Sequence, residues 1–271
     1  MKHAWLIIAH NEFAVLQRLI SLLDHERSDF FVHIDAKVRD LPALKVEKGR
    51  LFMLDKRVVV RWGSVSQIET ELVLLEYAQQ KGPYSHYHIL SGTHLPLKPV
   101  EELLQFYDKH DGEEVMRFWA DDPGDADFKL RRYHFPLRHY KFGSPLRQRL
   151  CQLTWQVVIK IQKVFGIRHL TGERFVKTDN WLSLSDNACR YLVQEKDRIL
   201  KKYKWSFCGD EYFIASELAT HPEQFKLYDC ENLLYVEFLK DTPRTFMLDD
   251  YSRLQRSGYW WARKFTGVHV N

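Results

Sequence analysis

Two adjacent carboxylates, Asp210 and Glu211, stand between aromatic residues in the segment WSFCGDEYF (205–213). A carboxylate among aromatic side chains loses hydration, so its pKa rises toward the range in which it can accept a proton from a substrate hydroxyl. The apolar residues that follow are typical of a helix. The same pair could cap that helix and occupy its first turn, where the dipole would lower their pKa. These residues alone leave catalysis and helix capping equally open.

Fixed cations stand among aromatic residues in PRTF (243–246) and WWARKF (260–265). Such cations can bind the oxygens of a diphosphate and stabilise the charge that develops as it leaves. Transfer from a nucleotide diphosphate sugar without a metal needs these cations and one base. Arg244 and Lys264 would supply the cations and Glu211 the base. Composition alone fits equally well with charges that simply flank a final strand.

Metal and cofactor motifs are weak. Asp125 and Asp127 form an Asp-x-Asp pair that could bind the metal of a nucleotide sugar, but they lie in a polar segment rather than after an apolar strand. His86 and His88 share one strand face without a third ligand at a diagnostic spacing, so we interpret them as structural. The glycine patterns of dinucleotide-binding and P-loop proteins are absent from the sequence.

The 271 residues, 45% of them hydrophobic, can bury a full core, and no apolar run is long enough to span a membrane. The apolar run 4–9 stops at His10 without a cleavage region, so we interpret it as a strand and expect a cytoplasmic protein. Four widely spaced cysteines predict reduced thiols. A net charge of +4 suits an anionic ligand or an acidic membrane face and does not indicate a nucleic-acid binder.

Strands alternate with helices in the first 110 residues, which predicts an α/β fold with a mostly parallel sheet. Strands are predicted at 4–9, 30–34, 58–60, 86–90 and 181–184, and helices at 13–23, 64–80, 99–110 and 185–202. Ligands bind beyond the carboxyl ends of such strands, where Asp35 and Trp62 would lie. Residues 120–142 are predicted to form a polar loop over the sheet.

A basic amphipathic helix is predicted over residues 146–165. One side of it carries Leu146, Leu150, Leu153, Val157, Ile161 and Val164, and four basic residues lie off that side: Arg147, Arg149, Lys160 and Lys163. We expect the apolar side to pack on the core. Docking on an anionic membrane surface is the alternative.

Five blocks span nearly the whole chain: FVHIDAK (31–37), WGSVSQI (62–68), YHILSGTHLPL (87–97), GDE (209–211) and ARKF (262–265). In this order they resemble the core 2/I-branching N-acetylglucosaminyltransferase and peptide O-xylosyltransferase family, glycosyltransferase family 14. The resemblance implies a GT-A-type fold, a UDP-sugar donor, inversion at the anomeric carbon and, as in the branching enzymes, no metal or other cofactor. We expect a single domain, with a nucleotide-binding half over 1–118 and an acceptor and catalytic half over 119–271.

The resemblance also implies roles for particular residues. Glu211 resembles the family's catalytic base, and Asp210 belongs to the same block and is assigned to the donor site. Arg244 and Lys264 resemble the basic pair on the donor diphosphate, with a spacing shorter than in the animal enzymes. Asp35 resembles the residue that contacts the uracil.

Three aromatic residues complete the expected site. Trp62 falls where an aromatic side chain lines the uridine site. Phe238 falls near an aromatic acceptor platform of the family, and Trp181, after the turn that precedes the sugar-pocket strand, is assigned to the acceptor side as well.

The animal enzymes carry a membrane anchor, a stem and many disulfides, which do not appear in this sequence. We therefore expect a compact bacterial-type member, in the cytoplasm or peripheral on the inner face of the membrane. It would transfer GlcNAc or xylose to a glycan or lipid-linked glycan. The rival from another class is a non-catalytic module that binds glycan or nucleic acid through the same aromatic and basic residues.

Overall fold

The computed structural model describes residues 1–239 and 242–267. Its strands are β1 (His3–Ala9), β2 (Ser28–Ile34), β3 (Arg50–Met53), β4 (His86–Ser91), β5 (Leu95–Pro96), β6 (Glu113–Met116), β7 (Ser183–Ser185), β8 (Lys226–Asp229), β9 (Leu234–Tyr235), β10 (Phe238–Leu239), β11 (Thr242–Pro243) and β12 (Trp261–Ala262). Seven of them form the central sheet in the order β3-β2-β1-β4-β7-β6-β8. Strand β7 is antiparallel to both neighbours and the other pairs are parallel. The mostly parallel α/β sheet expected from the sequence is confirmed.

Helices cover both faces of this sheet. They are α1 (Phe13–Leu23), α2 (Ser66–Gln79), α3 (Val100–Lys109), α4 (Pro123–Leu130), α5 (Pro145–Val164), α6 (Asp186–Gln194), α7 (Lys196–Lys202), α8 (Phe213–Leu218) and α9 (Tyr251–Gln255), with 3-10 turns η1 (Gly209–Glu211) and η2 (Leu248–Asp250). Because side chains alternate along a strand, Leu6 faces the core beneath α2 and α6, whereas Trp5 and Ile7 face the core beneath α1 and α3. The sheet is therefore buried on both sides.

The third strand of the sheet was predicted wrongly. Residues 58–60, all of which the structure describes, form no strand, and β3 pairs with β2 instead. The amide of Val58 donates to Nε2 of His33 at 2.8 Å, and its carbonyl accepts from Ala36 at 3.0 Å. A side chain thus takes one of the bonds that a strand ladder would have used.

The polar loop predicted over 120–142 contains a helix, α4. The Asp122 side chain accepts hydrogen bonds of 3.0 Å from the amides of Gly124 and Asp125, and Pro123 occupies the first turn. Asp-Pro-Gly is common in turns, whereas here it is an N-cap followed by an N1 proline, which begins a helix.

The expected packing of α5 is also wrong. The side of the helix that lies against the domain carries Cys151, Trp155, Ile159 and Gln162. The six apolar residues from Leu146 to Val164 that were expected to face the core are exposed. Both sides are largely apolar in sequence, but side chains of the inner side also have hydrogen-bond partners outside the helix. Trp155 bonds to His134, Gln162 to the backbone of Tyr133, and Cys151 to the carbonyl of Pro136.

The strand histidines are structural, as interpreted from the sequence. His88 is fully buried, and its imidazole lies 3.0 Å from that of His3 and 2.7 Å from the Ser183 hydroxyl. Burial, then the neighbouring imidazole of His86, lowers the pKa of His3 to about 3, so this ladder stays neutral.

Candidate active site

The carboxyl ends of β1 and β2 gather several charged side chains. Asp35 follows β2, and its carboxylate accepts from the Lys37 amide at 2.9 Å and lies 3.1 Å from the Lys37 ammonium. His10 follows β1 beside them. Burial lowers the pKa of His10, Asp35 opposes that fall, and Lys264 and Lys37 add to it. Asp35 and Lys264, separated by most of the chain, are therefore brought to one edge of the sheet.

Glu12 bonds to the residues that follow Lys264 and so holds this segment at the same edge of the sheet. The Glu12 carboxylate accepts from the Thr266 hydroxyl at 2.6 Å and from the Gly267 amide at 3.1 Å, and these bonds lower its pKa. The carbonyl of Lys264 accepts from the Phe246 amide at 2.7 Å. Glu12 was not singled out in the sequence, where it reads as an ordinary loop acid before α1.

Trp62 lies in the turn before α2 and is 42% exposed. Its ring stacks with Tyr140 at 5.7 Å and meets the edge of Phe207 at 5.2 Å, while the Lys141 ammonium lies 3.3 Å from its centroid. The next residue, Phe142, contacts Lys37 at 5.1 Å. Trp62 and the Asp35 edge are thus joined through consecutive residues of one loop.

Asp210 is buried in η1. Its Oδ2 accepts from the amides of Gln67 at 2.7 Å and Asn180 at 3.1 Å, whereas Oδ1 has no partner among the described residues. Burial, reinforced by the charge of Glu211, raises the pKa of Asp210 to about 7. A buried carboxyl group with one unbonded oxygen and a pKa near 7 can accept a hydrogen bond from a ligand hydroxyl.

A second buried acid, Glu71 on α2, lies near Asp210. Burial raises the pKa of Glu71 well above its usual range, and the Asp210 charge raises it further. Its Oε2 also has no partner within the described part of the chain. Glu71 was missed because a glutamate in a predicted helix is most often on the solvent side, and nothing local marks it as buried.

Arg263, immediately before Lys264, carries a half-buried guanidinium. Its carbon lies 5.0 Å from the ring centroid of Trp181, and its Nε finds no partner among the described residues. Burial lowers the pKa of Arg263 to about 10, which Asp179 and Asp210 oppose. Asp179 is already paired with Arg117 at 2.7 Å. Arg263 is therefore a partly desolvated cation whose Nε can still donate a hydrogen bond.

Unpaired polar atoms surround Arg263. Trp181 meets the His94 ring edge-on at 5.0 Å, and neither Trp181 Nε1 nor His94 Nε2 has a partner in the described residues. Burial, then the charge of Arg263, lowers the pKa of His94 well below its usual value. Buried polar atoms are nearly always hydrogen-bonded, so several unpaired ones together mark a place where a ligand would complete them.

Glu211 turns away from Asp210 toward a cluster of lysines. Its Oε2 lies 2.7 Å from the Lys129 ammonium and 4.0 Å from that of Lys177, and its side chain is one-third exposed. Both lysines also contact Asp125, at 3.1 and 2.6 Å. Burial alone would lower the pKa of Lys129, but Glu211 and Asp125 raise it overall. Glu211 is thus held by cations at the accessible side of the acidic pair.

Asp125 and Asp127 contact different side chains. Whereas Asp125 contacts the two lysines and the Tyr212 hydroxyl, Asp127 contacts Arg132 at 3.4 Å and Arg168 at 3.3 Å. Two residues along a helix differ by about 200° in direction, which explains why their partners differ. Within the described residues, no group of three His, Cys, Asp or Glu side chains could hold a metal ion.

Arg244 is paired with acids. Its guanidinium contacts Glu237 at 3.1 Å and Asp250 at 3.6 Å. Since Phe246 bonds to the carbonyl of Lys264, Arg244 lies on the segment next to it. Phe238, on β10 beside Glu237, is half-exposed.

A family model for core-2/I-branching enzymes matches residues 3–246. The chain belongs to the core-2/I-branching enzyme family. No curated protein sequence matches it. Among solved structures, the chain is similar to mouse xyloside xylosyltransferase 1 in its apo form. The two share 13% sequence identity, the TM-score is 0.42, and the match covers 99% of this chain and 98% of that one.

As a member of the branching family, this chain is a glycosyltransferase, which implies a nucleotide-sugar donor and a glycan acceptor. Its α/β domain has the mostly parallel central sheet, flanked by helices, that was expected from the sequence. The family match includes Asp35, Trp62, the acidic pair and Arg244, and it ends before Arg263 and Lys264. None of the helices that the structure describes is long and apolar enough to cross a membrane.

Proposed function

We propose that this branching-family glycosyltransferase moves a sugar from a UDP-sugar to a hydroxyl of a glycan acceptor, with inversion and without a metal. The observation that carries the proposal is the half-buried guanidinium of Arg263, whose buried Nε has no partner among the described residues. A desolvated cation beside Lys264 is suited to bind a diphosphate, because charge-assisted hydrogen bonds strengthen where water is excluded.

The donor would lie along the carboxyl edge of the sheet. Asp35 accepts a hydrogen bond from the uracil and the exposed part of the Trp62 side chain lines the uridine. Lys264 and Arg263 contact the diphosphate oxygens. Arg244 would join them only by exchanging Glu237 and Asp250 for phosphate, so its contribution is the smaller one.

The sugar would lie between Arg263 and the acidic pair. Asp210 offers Oδ1 to a donor-sugar hydroxyl, and Trp181 provides an aromatic face beside the acceptor site, with Phe238 at the rim. Asn180 and Gln67 hold the other oxygen of Asp210, which fixes the direction of the free one.

Glu211 is the general base of this reaction. It takes the proton of the acceptor hydroxyl as that oxygen attacks the anomeric carbon from the side opposite UDP. The bond from the anomeric carbon to the diphosphate oxygen breaks, and its electron pair stays on UDP, where Lys264 and Arg263 stabilise the charge. Lys129 keeps Glu211 oriented before the acceptor arrives.

Thermal-shift measurements with UDP, GDP and CMP, each with and without EDTA, test the donor and the metal together. The proposal expects stabilisation by UDP that EDTA leaves unchanged. No stabilisation by UDP, or stabilisation that EDTA abolishes, would contradict it. Mass spectrometry with UDP-GlcNAc and UDP-xylose then identifies the sugar, and NMR of the product reports inversion.

A further inference from the structure

Helix α5 presents two opposite apolar faces, only one of which is covered. The inner face packs on the domain through Cys151, Trp155 and Ile159. The outer face, here named the α5 stripe, consists of six side chains that are 47–79% exposed: Leu146, Leu150, Leu153, Val157, Ile161 and Val164. At about 100° per residue the stripe fits an arc roughly 80° wide, directly opposite the inner face.

The apolar surface extends beyond both ends of the helix. Phe142 precedes α5 and Phe165 and Ile167 follow it, and all three are exposed. Twenty helical residues are about 30 Å long. An apolar strip of this length on the surface of a domain indicates an interaction surface rather than scattered apolar residues.

The charges beside the stripe have one sign. Arg147, Arg149, Lys160 and Lys163 are exposed, and α5 contains no Asp or Glu. Two copies of the chain that packed stripe against stripe would bring these cations together without counter-charges from the helix. A surface of anionic headgroups would supply the counter-charges, while the interior beneath them would take up the apolar side chains.

We propose that the α5 stripe docks this protein on an anionic phospholipid membrane, with the helix lying in the plane of the interface. Hydrogen bonds from the inner face hold the helix to the domain. Trp155 Nε1 donates to His134 Nδ1 at 3.0 Å, and the Gln162 side chain bonds to both backbone groups of Tyr133 at 2.8 Å. The outer face can therefore enter the headgroup region without α5 leaving the domain.

Docking would bring the candidate active site close to the membrane. Trp155 contacts Phe207 and Tyr140, and both of these contact Trp62. Provided that the proposed function holds, a lipid-linked glycan is the acceptor class that this arrangement favours, because its sugar would lie in the same interfacial layer.

Flotation with vesicles tests the surface. The full chain should float with vesicles of phosphatidylcholine and about one-third phosphatidylglycerol and should stay behind with phosphatidylcholine alone. Reversing two cations in Arg149→Glu/Lys160→Glu should weaken partition roughly 25-fold or more, since each basic residue near an anionic surface contributes about fivefold. Leu150→Gln/Val157→Gln should also lose flotation.

Matched controls keep the test specific. Lys45→Glu/Lys48→Glu and Leu41→Gln/Val59→Gln change exposed residues on other segments and should float as the wild type does. Thermal unfolding should be unchanged in all four variants, because none of the changed side chains is buried. Equal flotation on both vesicle types, or flotation that survives the Arg149→Glu/Lys160→Glu changes, would overturn the proposal.

Two further measurements separate the remaining outcomes. Light scattering that shows a dimer, dissociated by Leu150→Gln/Val157→Gln, without flotation of the wild type would assign the stripe to self-association and overturn membrane docking. UDP affinity should be the same in every α5 variant. Loss of UDP binding by the wild type with flotation intact would count against the proposed function and leave the membrane surface standing.

Discussion

The guanidinium of Arg263 lies over the indole of Trp181, 5.0 Å from its centroid, and both side chains are half-buried. The Nε of Arg263 is buried and has no partner among the described residues, so it has lost water without gaining a hydrogen bond, and this costs stability. The diphosphate of the donor would supply that partner. This relationship distinguishes Arg263 from Arg244, which already has two acids.

Replacing Arg263 with methionine should separate function from stability. Arg263→Met removes a desolvated charge and keeps most of the apolar volume against Trp181, so the unfolding temperature should stay the same or rise. UDP affinity should fall about tenfold to a hundredfold, the range of one charge-assisted contact. Calorimetry with UDP and thermal unfolding without it measure the two effects.

Arg244→Met is the matched control for that change. Because Arg244 is offset by Glu237 and Asp250, its loss should weaken UDP binding less than the loss of Arg263 does. A larger effect at Arg244 than at Arg263 would place the diphosphate beside Arg244 instead.

Asp210 should make stability depend on pH. Its pKa is raised to about 7 from the ordinary 3.8, so between about pH 4 and pH 7 the folded chain holds a proton that the unfolded chain has released. The contribution of this group to stability therefore falls as pH rises through that window, by up to about 4 kcal/mol as an upper bound. Asp210→Asn should gain stability over the wild type from pH 4 to pH 7 and no more above it, as urea unfolding would show.

Glu12→Gln is a control in which the dependence of stability on pH has the opposite sign. The pKa of Glu12 is lowered by hydrogen bonds to Thr266 and Gly267, so its contribution is present above the unfolded pKa and lost as pH falls. The variant should be less stable than the wild type at neutral pH and approach it in acid. The account of Asp210 fails if its asparagine variant shows the same trend as Glu12→Gln.

Glu211→Gln should abolish most turnover and leave donor binding intact. The amide keeps the shape of the side chain but cannot accept the acceptor's proton, so kcat should fall roughly a hundredfold or more. UDP affinity should change little, because Glu211 faces Lys129 rather than the cations near Trp181. Turnover like that of the wild type would remove Glu211 from the role of base.

Periodicity predicted much of the fold but not which of two apolar faces is buried. The bounds of α1 were predicted to the residue, and those of β1 and α5 to within one. In α5 the inward face depends on hydrogen bonds from Trp155 and Gln162 to residues outside the helix. Such tertiary partners leave no periodic signal, so the stripe was assigned to the core.

Tertiary partners also limit what the sequence predicts about the candidate site. The acidic pair and Lys264 could be singled out by neighbouring residue types, whereas Arg263 and Glu71 matter because each has a buried polar atom with no partner in the described part of the chain. How far the charge of Arg263 is neutralised depends on residues distant in sequence, such as Asp179 and Asp210. The sequence places Arg263 and Lys264 side by side and gives no means of ranking them.

The direct test of the central claim is calorimetry of UDP binding to the wild type and to Lys264→Ala, both in EDTA. If side-chain cations hold the diphosphate without a metal, the wild type binds UDP in EDTA and the variant loses about 1.5–3 kcal/mol of binding free energy. Equal UDP affinity in the two proteins, or no binding by the wild type until a divalent metal is restored, would contradict the account.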